Sequence, residues 1–329
     1  MIDAFCEWGT RPLSKKSMQL TPEECEHVCR IATNPEDFRA HASEYSQLFR
    51  KHGVPWTIEH ITQSASDACN ILIEYVGSKG RLFIEDGKMH SSRGLLKPYG
   101  PWQDKTARVC SKIHTMAIPR YGHTDMTTLL HQTVPGPSDA QALEEIRKIM
   151  RPKSVVLCEI ITNKVYNGCV TGYFIRGLLE ICVDTKSLLV VDETLTAFRT
   201  GLLWSYEHIP QFVPHKVIFG KAFQVSGIAT SGAHKSDHAI TTPVHPVALF
   251  HADACLRRCI PLFPNATHLT TRARKLVESR FGNVQGIGLL FACVAPEPER
   301  TAYFEMQFDD ITCAQLDDTL RFMIPLDLQ

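Results

Sequence analysis

The feature that most constrains the fold is a pair of short apolar runs, each leading into an ionisable residue. Residues 188–191 read Leu-Leu-Val-Val and lead into Asp192, and residues 217–219 read Val-Ile-Phe and lead through Gly220 into Lys221. Continuous apolar runs of this length are typical of buried strands in a parallel sheet. Because parallel strands end at one edge of their sheet, where such sheets bind ligands, we expect Asp192 and Lys221 to face the same crevice.

Each of these two residues has an ordinary explanation when it is taken alone. Asp192 would cap a strand, and Lys221 would be a surface lysine. Together they suit pyridoxal 5'-phosphate (PLP), because a lysine amine forms a Schiff base with this cofactor and a carboxylate near the ring nitrogen keeps that nitrogen protonated. The pair therefore predicts a PLP site in which Lys221 and Asp192 are both catalytic and cofactor-binding.

The motifs around the pair resemble those of the class III, fold type I, PLP-dependent aminotransferases. The family pattern is an apolar strand, Asp-Glu, a Thr-Gly-rich turn and then Gly-Lys after the next strand. Its counterparts here are Asp192-Glu193, residues 196–201 and residues 219–227. Within the class the likeness is greatest to lysine 6-aminotransferase and 4-aminobutyrate aminotransferase. The match extends over residues 58–322.

This resemblance implies an α/β fold with a mostly parallel central sheet flanked by helices, plus a small α+β domain from the chain termini. Residues 1–50 are expected to form an N-terminal helical segment of the small domain, shortened relative to the class. Residues 51–262 would form the large PLP-binding domain, and residues 263–329 the rest of the small domain. Strand–helix–strand alternation over residues 155–192 independently favours a parallel sheet.

Two segments are similar to cofactor-binding motifs of the family. Residues 63–68 resemble Ser-Gly-Ser-Glu-Ala, which holds the cofactor phosphate at a helix N-terminus, and this implies phosphate contacts from Ala65 and Ser66. A simple serine N-cap explains the segment equally well. Residues 87–94 resemble the Gly-x-aromatic-His-Gly-Arg turn. Cofactor contacts are thereby implied for Met89 and His90 and a substrate-carboxylate contact for Arg93, while a structural role for His90 stays open.

Two more segments carry expected site residues. Residues 155–162 resemble a strand ending in Glu-Pro-(Ile/Val)-Gln, which implies a catalytic-site position for Glu159. Thr162 replaces the glutamine that contacts the cofactor's phenolic oxygen, and its hydroxyl can still form a hydrogen bond. Thr241, with Thr242 as a second choice, matches a threonine that reaches the partner's cofactor phosphate in the family dimer. An ordinary turn is the alternative there.

Local patterns predict the remaining elements. The predicted helices are 22–32 with Thr21 as cap, 35–51, 138–150, 172–184, 247–259, 267–281 and 314–322. The predicted strands are 58–62, 81–85, 155–162, 188–191, 217–219 and one through 286–291.

Composition excludes several classes of function. The formal net charge is zero and no long basic run occurs, which argues against nucleic acid as a partner. No apolar run approaches the roughly 20 residues that span a bilayer, and the N-terminus lacks a secretory pattern, so a cytoplasmic protein without a membrane partner is expected. The twelve cysteines are scattered, and buried free thiols are favoured over zinc ligands even at the Cys25/Cys29 and Cys255/Cys259 pairs. No metal is expected.

Three functional hypotheses follow. The first is an aminotransferase that moves an amino group from a terminal amine or amino acid to a 2-oxo acid, as a homodimer with shared active sites. The second is a PLP-dependent aminomutase or epimerase, which Phe198-Arg199 favours by its likeness to the Gly-Phe-Arg of glutamate-1-semialdehyde aminomutase. The third is a degenerate homologue without turnover, favoured by Ala65, Met89, Thr162 and the lack of an arginine between residues 300 and 321.

Overall fold

Helices and strands both occur throughout the described part of the chain. The structure is a computed structural model. It describes residues 21–33, 48–62, 64–85, 96, 110–123, 125–162, 168–223, 225–231, 246–282, 284–294, 312–316 and 319–323.

The described residues form eight α-helices and eleven strands. The helices are α1 (Pro22–Thr33), α2 (Leu48–Lys51), α3 (Ala65–Ile71), α4 (Met126–His131), α5 (Asp139–Ile149), α6 (Gly172–Asp184), α7 (Pro246–Cys259) and α8 (Phe263–Phe281). The strands are β1 (Trp56–Thr62), β2 (Leu82–Glu85), β3 (Ile113–Met116), β4 (Val155–Cys158), β5 (Leu188–Asp192), β6 (Lys216–Phe219), β7 (Ser226–Ser231), β8 (Val284–Ile287), β9 (Leu290–Val294), β10 (Thr312–Leu316) and β11 (Thr319–Met323).

Side-chain caps set the starts of several helices. The Thr21 hydroxyl accepts from the Glu24 N–H at 3.2 Å, and the Glu24 carboxylate accepts from the Thr21 N–H at 2.9 Å, which completes a capping box at α1. The Thr171 hydroxyl accepts from the Phe174 N–H at 3.0 Å and begins α6. These bonds satisfy N–H groups that have no partner within the helix itself.

The large sheet has seven strands in the order β1-β7-β6-β5-β4-β2-β3. Strands β3, β2, β4, β5 and β6 are parallel, while β7 runs antiparallel to both β6 and β1. The five parallel strands therefore end at one edge of the sheet, where β7 begins and β1 ends. This mostly parallel sheet confirms the predicted fold class.

The core lies on both faces of this sheet, because successive side chains of a strand point to opposite faces. One face packs Val156, Leu189 and Val217 against the apolar side of α6. The other face packs Leu157, Val190 and Ile218 against α3 and the turn that follows it. The strands are buried on both faces, which explains their continuous apolar sequence.

A buried ion pair joins β1 to β6 across the sheet. Lys216 Nζ lies 2.6 Å from one Glu59 carboxylate oxygen and 2.7 Å from the other. The Tyr75 hydroxyl donates to the same carboxylate at 2.8 Å, and the ammonium group lies 4.7 Å from the centre of the Tyr75 ring. Both charges are thereby compensated where water is excluded.

The second sheet has four antiparallel strands in the order β10-β11-β9-β8. It corrects two predictions. The predicted helix over residues 314–322 is instead β10 and β11, because β11 pairs along its length with β9. The predicted strand through residues 286–291 is a hairpin, since Gly288 takes a positive φ of 56° between β8 and β9.

Most other elements lie where the sequence placed them, with shifts at their ends. The predicted strand 155–162 ends at Cys158, and α7 and α8 begin earlier than predicted. Much of the predicted helix 35–51 falls outside the described residues. Seven cysteines are buried, whereas Cys25 and Cys29 are exposed on α1, which corrects the expectation for that pair. Within the described ranges, no group of three or more His, Cys, Asp or Glu could hold a metal, and no helix is long and apolar enough to cross a membrane.

Candidate active site

The carboxyl edge of the large sheet brings together the residues that follow its parallel strands. Asp192 is the last residue of β5 and pairs with Ile218 of β6, three positions before Lys221. Glu159 directly follows β4. The β6–β7 pairing ends at Phe219 and Gly227, so the turn containing Lys221 lies at this same edge. Asp192, Glu159 and Lys221 therefore lie at the edge where parallel sheets bind ligands.

Lys221 begins a short 3₁₀ turn, Lys221–Phe223, in a conformation that few side chains adopt. Its φ is 45°, in the left-handed region that favours glycine. Backbone in this region costs about 1–3 kcal/mol and persists only when surrounding packing holds it. Such strain is concentrated at functional sites, which supports a function for this turn.

The ring of Phe223 anchors the turn. It lies 4.6 Å from Phe198, 5.3 Å from Trp204, 5.3 Å from Phe219 and 5.6 Å from Phe49, measured between ring centroids. Aromatic pairs at these separations add stabilisation beyond the area they bury. This apolar cluster supplies the packing that keeps Lys221 in its strained conformation.

The electrostatic surroundings of Lys221 favour the neutral amine. Burial lowers its pKa, the nearby Arg199 guanidinium lowers it further, and the Asp192 and Glu159 carboxylates oppose both effects. The net direction is downward from the ordinary lysine value. A lysine amine that is desolvated and lies near another cation is suited to act as a nucleophile or a base.

Asp192 is held in place from its own strand end and by its neighbours. Its Oδ1 accepts from the Thr194 N–H at 3.0 Å, and only 7% of its surface is exposed. A Cβ added to Gly220 would lie 2.8 Å from Ser226 Oγ, 3.3 Å from Ala65 Cβ and 3.3 Å from Thr194 Cγ2. Glycine at position 220 therefore allows these segments to close around the residue before Lys221.

Glu193, next to Asp192, is fully buried and serves the structure of the loop. Its carboxylate accepts from the Ser205 N–H at 3.0 Å, the Ser205 hydroxyl at 2.7 Å, the Tyr206 N–H at 3.2 Å and the Thr196 hydroxyl. Burial raises the pKa of Glu193 to about 7, against the effect of these donors. The carboxylate ties the 193–206 loop to the end of β5.

The start of α3 lies beside the same edge. The Ser64 hydroxyl accepts from the Asp67 N–H at 3.3 Å as the helix cap, so the serine-cap explanation holds for Ser64. Ala65 and Ser66 open the first turn. One turn later, the thiol of Cys69 has its pKa raised well above the usual value by burial and by the carboxylates of Asp192 and Glu159. Helix α3 thus borders both carboxylates.

Glu159 and Thr162 lie on a turn that is tied on two sides. The Thr162 N–H donates to the Gly168 carbonyl at 2.8 Å, and the Val170 N–H donates to the Ile160 carbonyl at 3.1 Å. The Arg120 guanidinium donates to the carbonyls of Glu159 at 2.8 Å and Ile160 at 3.0 Å. The backbone that carries Glu159 is therefore fixed.

Of the residues expected at the site, Ala65, Glu159, Asp192 and Lys221 surround one edge of the sheet, with Ser66 directly after Ala65. Thr162 is buried on the turn of Glu159, and its described backbone bond is to Gly168. Five expected residues lie outside the described part of the chain: Met89, His90, Arg93, Thr241 and Thr242.

Sequence reasoning did not give a role here to Arg120, Glu85 or Cys69. Arg120 lies in a segment rich in turn residues, and nothing in its spacing marks it. Cys69 is four residues after Ala65 and so falls on the same helical face, a signal that could have been used. The sequence relates Arg199 only to the Gly-Phe-Arg motif of the aminomutase, whereas in the structure its guanidinium acts on Lys221.

Comparison with known structures identifies the architecture. Lysine aminotransferase from M. tuberculosis superposes with a TM-score of 0.69 at 18% identity, over 94% of this chain and 81% of that one. Taurine:2-oxoglutarate aminotransferase from Bifidobacterium kashiwanohense gives a TM-score of 0.71 at 16% identity, over 94% and 81%. The chain has the fold type I architecture of PLP-dependent aminotransferases. The fold inferred from the sequence is confirmed.

Two curated relatives are similar in sequence over part of the chain. Glutamate-1-semialdehyde 2,1-aminomutase from Leptothrix cholodnii is 29% identical over 146 residues, 42% of this chain and 33% of that protein. The [LysW]-aminoadipate semialdehyde/glutamate semialdehyde transaminase from Sulfolobus acidocaldarius is 30% identical over 118 residues, 32% of this chain and 30% of that protein. The chain thus spans about a third of the length of the curated relatives it matches. No protein-family model matches the sequence.

Proposed function

We propose that this protein is a PLP-dependent aminotransferase that moves an amino group from a terminal amine or amino acid to a 2-oxo acid. One observation carries the proposal: the half-buried Lys221 follows β6 beside Asp192 at the end of the adjacent parallel strand. The fold and the aminotransferase relatives support this reading. The carboxylate and the amine are the two groups on which PLP chemistry depends.

The residues present fit the cofactor chemically. Lys221 offers an amine whose pKa is lowered by burial, and Asp192 offers a buried carboxylate within the electrostatic range of that amine. Gly220 lets Ser226 and Ala65 pack closely against the residue before Lys221. We assign phosphate contacts to Ala65 and Ser66 at the start of α3, following the family motif.

The chain's own residues have distinct roles in this mechanism. PLP, bonded through its aldehyde carbon to Lys221 Nζ, would supply an electron-accepting ring. Asp192 would hold a proton on the ring nitrogen. Lys221 Nζ, as a neutral amine, would take the proton from the amine-bearing carbon of the substrate and deliver it to the cofactor carbon on the other side of the shared nitrogen. Glu159 would balance the charge at Lys221, and the buried Thr162 would donate a hydrogen bond toward the phenolic oxygen.

Further parts of the proposal rest on the family resemblance. They are a homodimer with shared active sites, in which Thr241 or Thr242 reaches the partner's cofactor phosphate, and a cytoplasmic location. Met89, His90 and Arg93 keep their predicted cofactor and substrate contacts, and the division at residues 50 and 262 remains a prediction.

An aminomutase is the second candidate, because one curated relative is an aminomutase. The two activities differ in a measurable way. A transaminase given lysine or 4-aminobutyrate consumes a 2-oxo acid and releases the matching amino acid. An aminomutase isomerises its substrate with no 2-oxo acid consumed. A degenerate homologue would bind the cofactor and turn over none of these compounds.

The deciding experiment is to trap PLP on the protein. We expect PLP to give a visible absorbance band, and borohydride to fix the cofactor on Lys221, as located by peptide mass spectrometry. Lys221→Ala should abolish both signals, and Asp192→Asn should keep the trapped lysine but lower turnover by a factor of at least about 100.

A matched control is Lys186→Ala. Lys186 also has a positive φ, of 52°, but it is exposed at the end of α6, so its loss should leave the band unchanged. A band that survives Lys221→Ala would contradict the assignment.

A further inference from the structure

Arg120 is a further buried cation at the same edge of the sheet. Arg120 follows β3, and its side chain is 14% exposed, while that of its partner Glu85 is 4% exposed. Glu85 is the last residue of β2. The pair therefore lies where the parallel strands end, one strand beyond the turn that carries Glu159.

Arg120 uses its guanidinium to join two strand ends. Nε donates to Glu85 Oε1 at 3.0 Å, and Nη2 donates to Glu85 Oε2. Nη1 donates to the Ile160 carbonyl at 3.0 Å, and Nη2 also donates to the Glu159 carbonyl at 2.8 Å. Only a planar fork with several N–H groups can satisfy the carboxylate and both carbonyls at once, which lysine cannot do.

On its other side, the 159–162 turn faces residues 168–170, which are bonded to the backbone next to Arg120. The Tyr121 N–H donates to the Cys169 carbonyl, and the Cys169 N–H donates to the Tyr121 carbonyl, both at 2.9 Å. A Cβ added to Gly168 would lie 3.5 Å from Arg120 Cβ and 3.6 Å from Thr162 Cγ2. The turn at residues 159–162 is therefore enclosed between Arg120 and the segment 168–170.

We call the Arg120–Glu85 pair, with its bonds to the carbonyls of Glu159 and Ile160, the clamp. Electrostatic interactions of the Glu159 carboxylate link this clamp to Lys221. Burial disfavours the charged form of Arg120, but the carboxylates of Glu85 and Glu159 reverse that effect and raise its pKa. Glu159 also acts on Lys221, where its carboxylate favours the ammonium form. Glu159 thus lies within electrostatic range of both cations, and its position depends on a backbone that Arg120 holds.

We infer that Arg120, held by Glu85, is a positioning residue that fixes the 159–162 turn and so keeps the Glu159 carboxylate beside Lys221. The functional importance of this position of Glu159 rests on the proposed function, because Lys221 can act as a base only in its neutral form and Glu159 affects its pKa. The placement itself does not depend on the cofactor.

The test measures the titration of Lys221 in the cofactor-free protein. Acetic anhydride labels neutral amines only, and mass spectrometry of the Lys221 peptide over a pH series gives the midpoint. Among the described residues, the charged groups that act on Lys221 are Arg199, Asp192 and Glu159, and Arg199 and Asp192 are left unchanged. Glu159→Gln should lower the midpoint, because the carboxylate favours the ammonium form.

Arg120→Lys keeps the charge and the pair with Glu85 but cannot hold both carbonyls. We expect it to lower the Lys221 midpoint by about half a pH unit, which is about threefold more neutral amine at a fixed pH. In the Glu159→Gln background the same substitution should add nothing, because its effect passes through Glu159. A shift of equal size in both backgrounds, or no shift in either, would overturn the inference.

Two variants guard against an effect of stability alone. Arg120→Met combined with Glu85→Met removes both buried charges together, which is tolerated better than removing one, and it should give the same shift as Arg120→Lys. Arg176→Lys weakens another part-buried arginine, whose Nη2 donates to the Gln132 carbonyl at 2.7 Å, and it should leave the Lys221 midpoint in place. A shift in Arg176→Lys would count against the inference.

The two proposals fail in different ways. If the wild-type protein forms no visible band with PLP, the proposed function fails while the labelling experiment still reports on the clamp. If the band forms and Arg120→Lys leaves the Lys221 midpoint unchanged, the clamp fails while the proposed function stands.

Discussion

At the scale of single residues, burial shifts the pKa values of an acid and a base at the carboxyl edge of the sheet in opposite directions. Burial lowers the pKa of Lys221 and raises that of Glu193. Both residues are therefore biased toward the neutral form in the folded protein. The neutral form of Lys221 suits a base. The neutral form of Glu193 is a consequence of its burial, since its carboxyl group holds the 193–206 loop in the core.

Glu193 should make stability depend on pH. Its pKa is about 7 in the folded protein and near 4.5 when unfolded, so between those values the folded state holds a proton that the unfolded state has released. Stability is then lost as pH rises through this window, by roughly 2–3 kcal/mol. Urea unfolding from pH 5 to pH 8 should show this loss in the wild type and a flatter profile in Glu193→Gln.

Neighbouring groups titrate too, so the quantity that matters is the difference between the two unfolding curves. Glu144→Gln removes an exposed glutamate on α5 and should leave the pH profile of the wild type unchanged in this window. Parallel curves for wild type and Glu193→Gln would contradict the assignment.

At the scale of elements, the turn between β8 and β9 touches the loop that follows Asp192. A Cβ added to Gly288 would lie 2.1 Å from the carbonyl carbon and oxygen of Thr200. The Leu289 N–H donates to the Arg199 carbonyl at 2.7 Å. This contact joins the four-stranded sheet to the backbone of Arg199, whose charge acts on Lys221.

Gly288→Ala should therefore cost more than backbone strain alone. Gly53 has a comparable positive φ of 75° with nothing within 4 Å of an added Cβ, so Gly53→Ala isolates the strain, about 1 kcal/mol. Gly288→Ala adds the collision with Thr200, and we expect a total of about 2–4 kcal/mol in the free energy of unfolding. Denaturant titration of both variants checks this, and equal losses would show that the contact carries no energy.

At the scale of the whole molecule, α1 is tied to α7 through one carboxylate. The Glu24 carboxylate completes the capping box of α1, and it accepts from Arg257 Nη2 at 3.1 Å and from Arg258 Nη2 at 2.5 Å. A cleft of about 320 Å³ between these elements is lined by residues of α1, α2 and α7. The early part of the chain is thereby attached to the helix that packs beneath the Lys221 turn.

Glu24→Ala should release α1 from this contact. It removes the carboxylate half of the capping box and both ion pairs, so amide exchange of residues 22–33 should accelerate by a factor of about 10, with little change elsewhere. Glu23→Ala is the matched control, because the described residues show no ion pair for Glu23 in the neighbouring position of α1. If exchange in α1 is the same in both variants, the ion pairs do not hold the helix.

The sequence determined the parallel strands, most helices and the pairing of Asp192 with Lys221 at one edge. These are consequences of local patterns: apolar runs three or four residues long make buried strands, and caps start helices. The sequence pattern was misleading at residues 314–322, because a short apolar pattern does not distinguish a helix from a strand. Pairing of β11 with β9 makes this segment part of a sheet.

Only the tertiary structure decided what surrounds Lys221. Arg199 acts on Lys221, while Arg120 and Cys69 interact with Glu159, and these three residues come from separate parts of the chain. Their effect depends on burial and on distance through a medium of low polarity, which exist only once the sheet and its loops have assembled. The placement of Asp192 and Lys221 at one edge of the sheet was thus predictable from the sequence, while their electrostatic surroundings were a property of the fold.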